Sequence, residues 1–367
     1  MSSGVEPQYA YLLDHWNTTL ASLITMAPTA QNQFHVNLTP MIPHSQSLCS
    51  AICYMAACHL YVLKGGASLR NIVDQCQGDT IKSLRPLIGL SQHSDLDKQS
   101  YQTSLATIMI LQITEALFLV RTGAEHLKGA KAIIEKGHEL RTWDCDIGIF
   151  LLNICCYYDA ISSVARRCPP IIDTNPYVPF LKGMQPIGDL KTLWAIIGRI
   201  SGMGCQSGDT LDRHGKAIEA TLQELDEHAN REGDAGHTIH AYIAAAYIYL
   251  YRRWHGVGSP HPTTLRHAEN CLNHLFKIPV ESPLVASHVW PLFTAACETI
   301  DVQLRDGVRE RLEAMYELRH LPSLQSTLND IETAWEKKDE ERARTGSDGL
   351  DCVCIIHHMK KRDPDLL

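Results

Sequence analysis

Apolar residues recur along this chain at intervals of three and four, almost from end to end. Ile147, Phe150, Leu151, Ile154, Cys155, Tyr158 and Ile161 fall on one face of a helix. The same spacing joins Ile239, Tyr242, Ile243, Ala246, Tyr247, Leu250 and Trp254. Leu324, Leu328, Ile331 and Trp335 repeat it more sparsely, with charged residues between them. Leu105 to Val120 is apolar nearly all round, which predicts a central, fully buried helix. Period-two alternation bounded by turn residues is hard to find, so essentially no sheet is expected.

Breaks are expected where Pro, Gly and polar residues cluster: Pro28 to Pro43, Gly65-Gly66, Pro86 to Ser100, Pro169 to Asp189, Gly202 to Gly208 and Gly256 to Pro262. Asp173 to Gly188 holds three prolines and reads as an extended loop across the helices. The fold class is therefore all-α, a large array of about 11–12 mostly antiparallel helices. Residues 1–10 are expected to be a flexible N-terminus, 11–340 one helical domain, and 341–367 a charged, flexible tail. No fixed-period repeat points to a solenoid.

Composition narrows the function classes. Hydrophobic residues make up 45% and charged residues 20% of the chain, which are globular values. The net charge of −8 argues against a nucleic-acid-binding face, because phosphate contacts need a basic surface. The thirteen cysteines are odd in number and many sit inside apolar helical runs, as in a reducing compartment and unlike a disulfide framework. No apolar run approaches eighteen residues and no signal peptide follows Met1, so no membrane association is expected.

Candidate chemistry is sparse. Cys352-x-Cys354-x-x-His357-His358 is the one compact group of soft ligands, but a tetrahedral zinc site would need an awkward chain path there. Asp144-x-Asp146 could hold Mg2+ with a diphosphate, although the full Asp-Asp-x-x-Asp pattern is missing and acids are favoured in a first helical turn anyway. Asn329-Asp330-Ile331-Glu332-Thr333 superficially matches a second cyclase metal motif, yet Lys337 stands where a Glu ligand is needed. His237-x-x-His240 and His267 are candidates for base or ligand, without an accompanying HExxH. No phosphate loop, dinucleotide fingerprint or nucleophile elbow is present. No catalytic residue, metal site or cofactor is assigned.

The aromatic residues offer one binding hypothesis. Packing explains most of them, but Tyr158, Trp194, Tyr242, Tyr247, Trp254 and Trp290 are the set that would line a pocket between helices for a small apolar ligand.

Several segments in order carry a resemblance. They are Leu12-Leu13-Asp14-His15-Trp16, Ala56-Ala57-Cys58-His59-Leu60, Gly123 to Lys131 with its Glu125-His126-Leu127-Lys128-Gly129-Ala130 string, and Tyr157-Tyr158-Asp159. Leu193-Trp194 with Ile200-Ser201, Ala244 to Trp254, and the stretch from Val289-Trp290-Pro291-Leu292-Phe293 to Trp335 complete them. Together they resemble the regulatory domain of fungal-specific transcription factors, the part of zinc-cluster activators that follows the DNA-binding cluster. The chain departs from that family in having Lys128 and Lys131 where Arg is usual, and in lacking the six-cysteine C-x2-C-x6-C signature. The resemblance implies an all-helical regulatory domain acting through a DNA-bound transcription factor or co-regulator, with a small-molecule effector, in the nucleus as well as the cytoplasm. Direct sequence-specific DNA binding is not expected. Control of a secondary-metabolite gene cluster is the expected setting. The alternative is an enzyme or ligand carrier on the same scaffold, such as an isoprenoid or polyketide cyclase. Lys360-Lys361-Arg362 is the shortest stretch that could serve nuclear import.

Overall fold

The computed structural model describes residues 9–26, 32–91, 96–119, 125–172, 188–229, 232–346, 349–364 and 366. Among these residues there is no strand, and fifteen α-helices follow one another. They are α1 (Ala10–His15), α2 (Ala21–Leu23), α3 (Gln46–Lys64), α4 (Ala67–Ser91), α5 (Lys98–Phe118), α6 (Glu125–Glu139), α7 (Asp146–Arg166) and α8 (Gly188–Gly202). After these come α9 (Gly208–His228), α10 (Gly233–His255), α11 (Pro262–Phe276), α12 (Val289–Ala296), α13 (Val302–Arg319), α14 (Pro322–Thr345) and α15 (Cys352–Lys360). The count exceeds the expected 11–12 in part because two short helices, α1 and α2, precede α3 and because α15 forms in the expected tail.

By its contacts the chain falls into two compact units. The first is Met1–Cys156 with Ile171–Lys182 and His320–Pro322; the second is Tyr157–Pro170, Gly183–Arg319 and Ser323–Leu367. The boundary between Cys156 and Tyr157 falls inside α7.

In the first unit α3 packs against α1, α4 and α5, and α5 packs in turn on α6. Helix α3 begins where Ser45 leaves the helical region and its hydroxyl accepts from the Leu48 amide at 3.3 Å. It ends at Gly65, whose φ of 65° suits the exit. Between them every residue from Ser47 to Leu60 is buried. The run from Leu105 forms the expected central helix, α5, with Asp97 as its N-cap and Leu119 left-handed at its end. By length and composition α3 and α7 are long and apolar enough to cross a membrane, but 78% and 72% of their most apolar windows are buried within the protein.

The second unit is organised on α10, which touches α8, α9, α11 and α12. A polar thread runs through its apolar packing: the Ser163 hydroxyl donates to Ser201 at 2.8 Å, and Ser201 meets the Tyr249 hydroxyl at 3.0 Å. The thread links α7, α8 and α10, and each buried hydroxyl thereby finds a partner.

Three expected irregular segments turn out otherwise. The stretch before Pro43 holds a wide helical turn, Phe34–Leu38, and a tight one, Thr39–His44. Asn32 sets their start by donating to the Ala21 carbonyl at 2.8 Å and accepting from the Phe34 amide at 3.0 Å. Pro86 does not end its helix, since α4 runs on to Ser91. The proline is exposed, so solvent can satisfy the carbonyl that loses its amide partner. Third, the expected flexible tail is largely helical. Helix α14 continues to Thr345, and Asp351 caps α15 by accepting from the Val353 and Cys354 amides at 2.9 and 3.2 Å. Val353, Ile355 and Ile356 are buried, an apolar face too short to stand out by period alone. The loop expected from Asp173 lies outside the described residues up to position 187, and so does residue 123 of the family-like string.

One close approach deserves a test. A Cβ on Gly148 would lie 2.5 Å from the Trp143 Cα and 2.7 Å from its carbonyl oxygen, both backbone atoms that cannot swing away. Trp143 is itself held, fully buried, by donating to the Ile134 carbonyl at 3.0 Å. Gly148→Ala is expected to destabilise the fold by about 1–3 kcal/mol despite improving helix propensity. An unchanged urea midpoint would show that the α7 start yields freely.

Candidate functional site

The six aromatic residues proposed from sequence separate into two groups. Tyr157, which sequence reading had placed only in a family-like triplet, is the centre of the first. Its ring lies 5.1 Å from that of Tyr158 and 5.0 Å from that of Trp194. Its hydroxyl also interacts electrostatically with Tyr242, whose ring meets Trp290 at 5.5 Å. Tyr242 donates to the Ser287 carbonyl at 2.6 Å. Burial pushes the phenols of Tyr157, Tyr158 and Tyr242 up, so they stay protonated. Trp194, Tyr242 and Trp290 are at most 2% exposed and form tight core packing. Tyr247 and Trp254 are engaged by α9 and α11 instead. Tyr247 stacks on His267 at 4.7 Å, while Trp254 covers the bare Cα of Gly215 and donates to Asp212 at 2.9 Å.

Glu298, two residues past the end of α12, forms a buried ionic node. One carboxylate oxygen accepts from Arg252 at 2.5 Å. The other accepts from Lys338 at 2.7 Å, the Ser259 amide at 2.8 Å and the Ser259 hydroxyl at 3.0 Å. Glu298 is 3% exposed and Lys338 1%, so the pairs are shielded from solvent. Burial alone would raise the Glu298 pKa, but the two cations and the hydrogen bonds outweigh it and hold the carboxyl at about 2. The node joins α10, the Ser259 turn, the end of α12 and α14. Its acceptors are filled by protein donors, so it is a structural clasp.

Histidines cluster around the start of α10. His237 Nδ1 lies 3.0 Å from His274 Nδ1, His240 stacks on His274 at 5.1 Å, and His240 Nδ1 meets Asp226 at 3.0 Å. Thr238 donates to the Asp234 carbonyl, so it must accept from His288 Nε2 at 2.9 Å, which puts a proton on that nitrogen. Burial, with the Arg311 and Arg319 charges, holds His288 down to about 3. Burial likewise lowers His267 and His274 to about 4. In the unfolded chain these groups titrate near 6.5, so between that pH and about 3 the unfolded state binds more protons. Stability is therefore present above pH 6.5 and lost as pH falls below it. The urea midpoint should drop between pH 7 and 5, and His288→Gln should flatten that drop. An equal midpoint at both pH values would contradict the assignment.

The remaining motifs sit as follows. Asp144 is exposed and paired with Arg141 at 2.8 Å, and Asp146 is exposed in the first turn of α7. Asp330 is fully buried and holds Arg362 through two bonds of 2.6 and 2.8 Å, so the 329–333 segment ties the chain end to α14. Arg362 of the basic triplet is thus occupied. Cys352, Cys354, His357 and His358 share α15, with Arg167 donating to the Cys354 sulfur. Among the described residues no group of three or more His, Cys, Asp or Glu is placed to hold a metal ion.

A cleft of about 490 Å³ opens in the first unit, where α3 and α5 begin. It is lined by His44, Gln46, Asp97, Gln99, Ser100 and Thr103, together with Ile42 and Pro43. Hydrogen bonds from Ser100 lower the Asp97 pKa and keep it ionised. No periodicity signals this cleft, since it forms from two loop–helix junctions about fifty residues apart in sequence.

The described geometry is thus a helical scaffold with a clasped core and an open polar cleft. Comparison with curated proteins and with solved structures gives no match. The regulatory-domain resemblance read from Leu12-Leu13 to Trp335 is matched by a family profile over residues 11–367, and the chain belongs to the fungal specific transcription factor domain family.

Proposed function

We propose that this protein regulates transcription of a fungal secondary-metabolite gene cluster, acting through a DNA-bound partner and responding to a small-molecule effector. The observation that carries this reading is the transcription-factor-domain match across residues 11–367. The net charge of −8 supports assigning DNA contact to the partner. The cyclase alternative needs acids converging on a deep apolar cavity; Asp144 and Asp146 are instead exposed, and Asp330 serves Arg362. Action in the nucleus follows from the regulatory role.

Deletion of the gene, with transcripts of the neighbouring genes and the metabolite profile measured together, tests the proposal. Coordinate loss of several transcripts is the expected result. Normal transcripts with one accumulated intermediate would instead assign an enzymatic step.

A further inference from the structure

The cleft between the starts of α3 and α5 has the features of a ligand site. Its volume of about 490 Å³ falls within the roughly 300–1,000 Å³ usual for small-molecule pockets. Its rim is rigid, because each helix start is fixed by its own cap: Ser45 accepts from the Leu48 amide and Asp97 from the Ser100 amide at 2.8 Å. Those same caps make it a poor anion site. They occupy first-turn donors, and the Asp97 carboxylate repels negative charge. No Lys or Arg is among the described residues that line it.

What remains to recognise a ligand is one exposed carboxylate, that of Asp97, with the His44 imidazole and the hydrogen-bonding groups of Gln46, Gln99, Ser100 and Thr103. Gln46 and Gln99 present side-chain amides, which both donate and accept, although one Gln46 amide hydrogen is given to Ser50 at 3.3 Å. Thr103 directs its hydroxyl proton to the Gln99 carbonyl at 3.0 Å, leaving oxygen lone pairs as acceptors. Ile42 and Pro43 add a limited apolar lining. A lipid or large apolar metabolite would strip these polar groups of water without replacing their bonds, at a cost of roughly 1–3 kcal/mol each. A small cation with its own hydroxyl or amide groups replaces them all.

We propose that this cleft binds a small, water-soluble amine, protonated and bearing hydroxyl or amide groups, with the ammonium on Asp97 and the polar groups on Gln46 and Gln99. The assignment rests on the effector reading above and gives it a place and a ligand class. It moves the effector away from the aromatic residues, whose packing leaves them as core.

The test is calorimetric titration of the full chain with glucosamine, ethanolamine and glycinamide, beside glucose as the neutral counterpart of the first and inorganic phosphate as an anion. Asp97→Asn removes the charge but keeps an equally good helix cap, so the variant should fold with an unchanged melting temperature. The expected result is saturable binding of at least one amine, weakened at least tenfold in Asp97→Asn, with glucose at least tenfold weaker than glucosamine. Gln99→Ala, at an exposed wall position, should weaken the same amine a few-fold without changing the melting temperature. Equal amine binding by wild type and Asp97→Asn, preference for phosphate, or no saturable binding by any of the three amines overturns the assignment. If deletion silences the neighbouring genes but no amine binds, this site alone fails. Asp97-dependent binding with transcripts unaffected by deletion supports the site and removes the regulatory reading.

Discussion

Glu298→Gln is expected to destabilise the protein by about 3–5 kcal/mol, the range for removing one partner from a buried ion pair. The substitution keeps the shape of the side chain, so packing loss contributes little, but one of its two acceptor oxygens becomes an NH2 group that faces protein donors. The charge is lost as well. Arg252 and Lys338 converge on the carboxylate at 2.5 and 2.7 Å, and without it two cations face each other in the interior. Lys338→Met should cost less than Glu298→Gln, because it leaves a neutral Arg252–Glu298 pair. The measurement is the urea midpoint and slope for both variants at pH 7. A Glu298→Gln loss below about 1 kcal/mol would mean the node is reached by water. The pH dependence gives a second check. The folded Glu298 pKa of about 2 lies below its ordinary 4.5, so its contribution is present above pH 4.5 and is lost as pH falls toward 2. Glu298→Gln should remove that part of the acid transition and leave the histidine part between pH 6.5 and 3 intact.

Trp290→Ala is the second large effect, again about 3–5 kcal/mol, as for other fully buried tryptophans truncated to alanine. Trp290 is completely buried and packs on Tyr242, the residue that anchors α10 to the Ser287 turn. The Pro291 carbonyl that follows accepts from the Cys271 thiol at 3.5 Å, which ties α12 to α11. The other end of α12 is fixed where Trp335 donates to the Ala296 carbonyl at 2.7 Å. Truncation therefore opens a cavity on a helix whose neighbours are held in place and cannot collapse into it. Trp290→Phe should recover part of the loss, since it keeps an aromatic face for Tyr242. A midpoint for Trp290→Ala within about 1 kcal/mol of wild type would show that the α12 contacts reorganise.

Both residues come from the Val289 to Glu298 stretch, and each was legible to a different degree. Trp290 announces itself by size and by its place in a familiar order of parts. Glu298 reads as one acid among forty-one acidic residues in the chain, because the partners that make it buried and ionised lie 46 residues before it and 40 after it. Tyr157 was equally quiet: its hydroxyl and ring matter through Trp194 and Tyr242, which no local spacing connects to it. The cleft is the extreme case. Ser45 and Asp97 are ordinary N-cap residues in sequence, and only the packing of α3 against α5 brings two caps into one cleft.

The sequence by itself determined the class of the protein. A 3.6-residue apolar period repeated over segment after segment requires helices, since that spacing presents one face to a core and leaves the other to water. The ordered landmarks from Leu12 to Trp335 placed those helices in their family. Only the tertiary structure decided where the chain divides, that the end beyond Thr345 folds back as α15, and which polar residues lose their water. Period records which way a side chain faces on its own helix. Burial, pKa and the shape of a cleft depend on what the other helices bring to meet it, and those partners are distant in sequence.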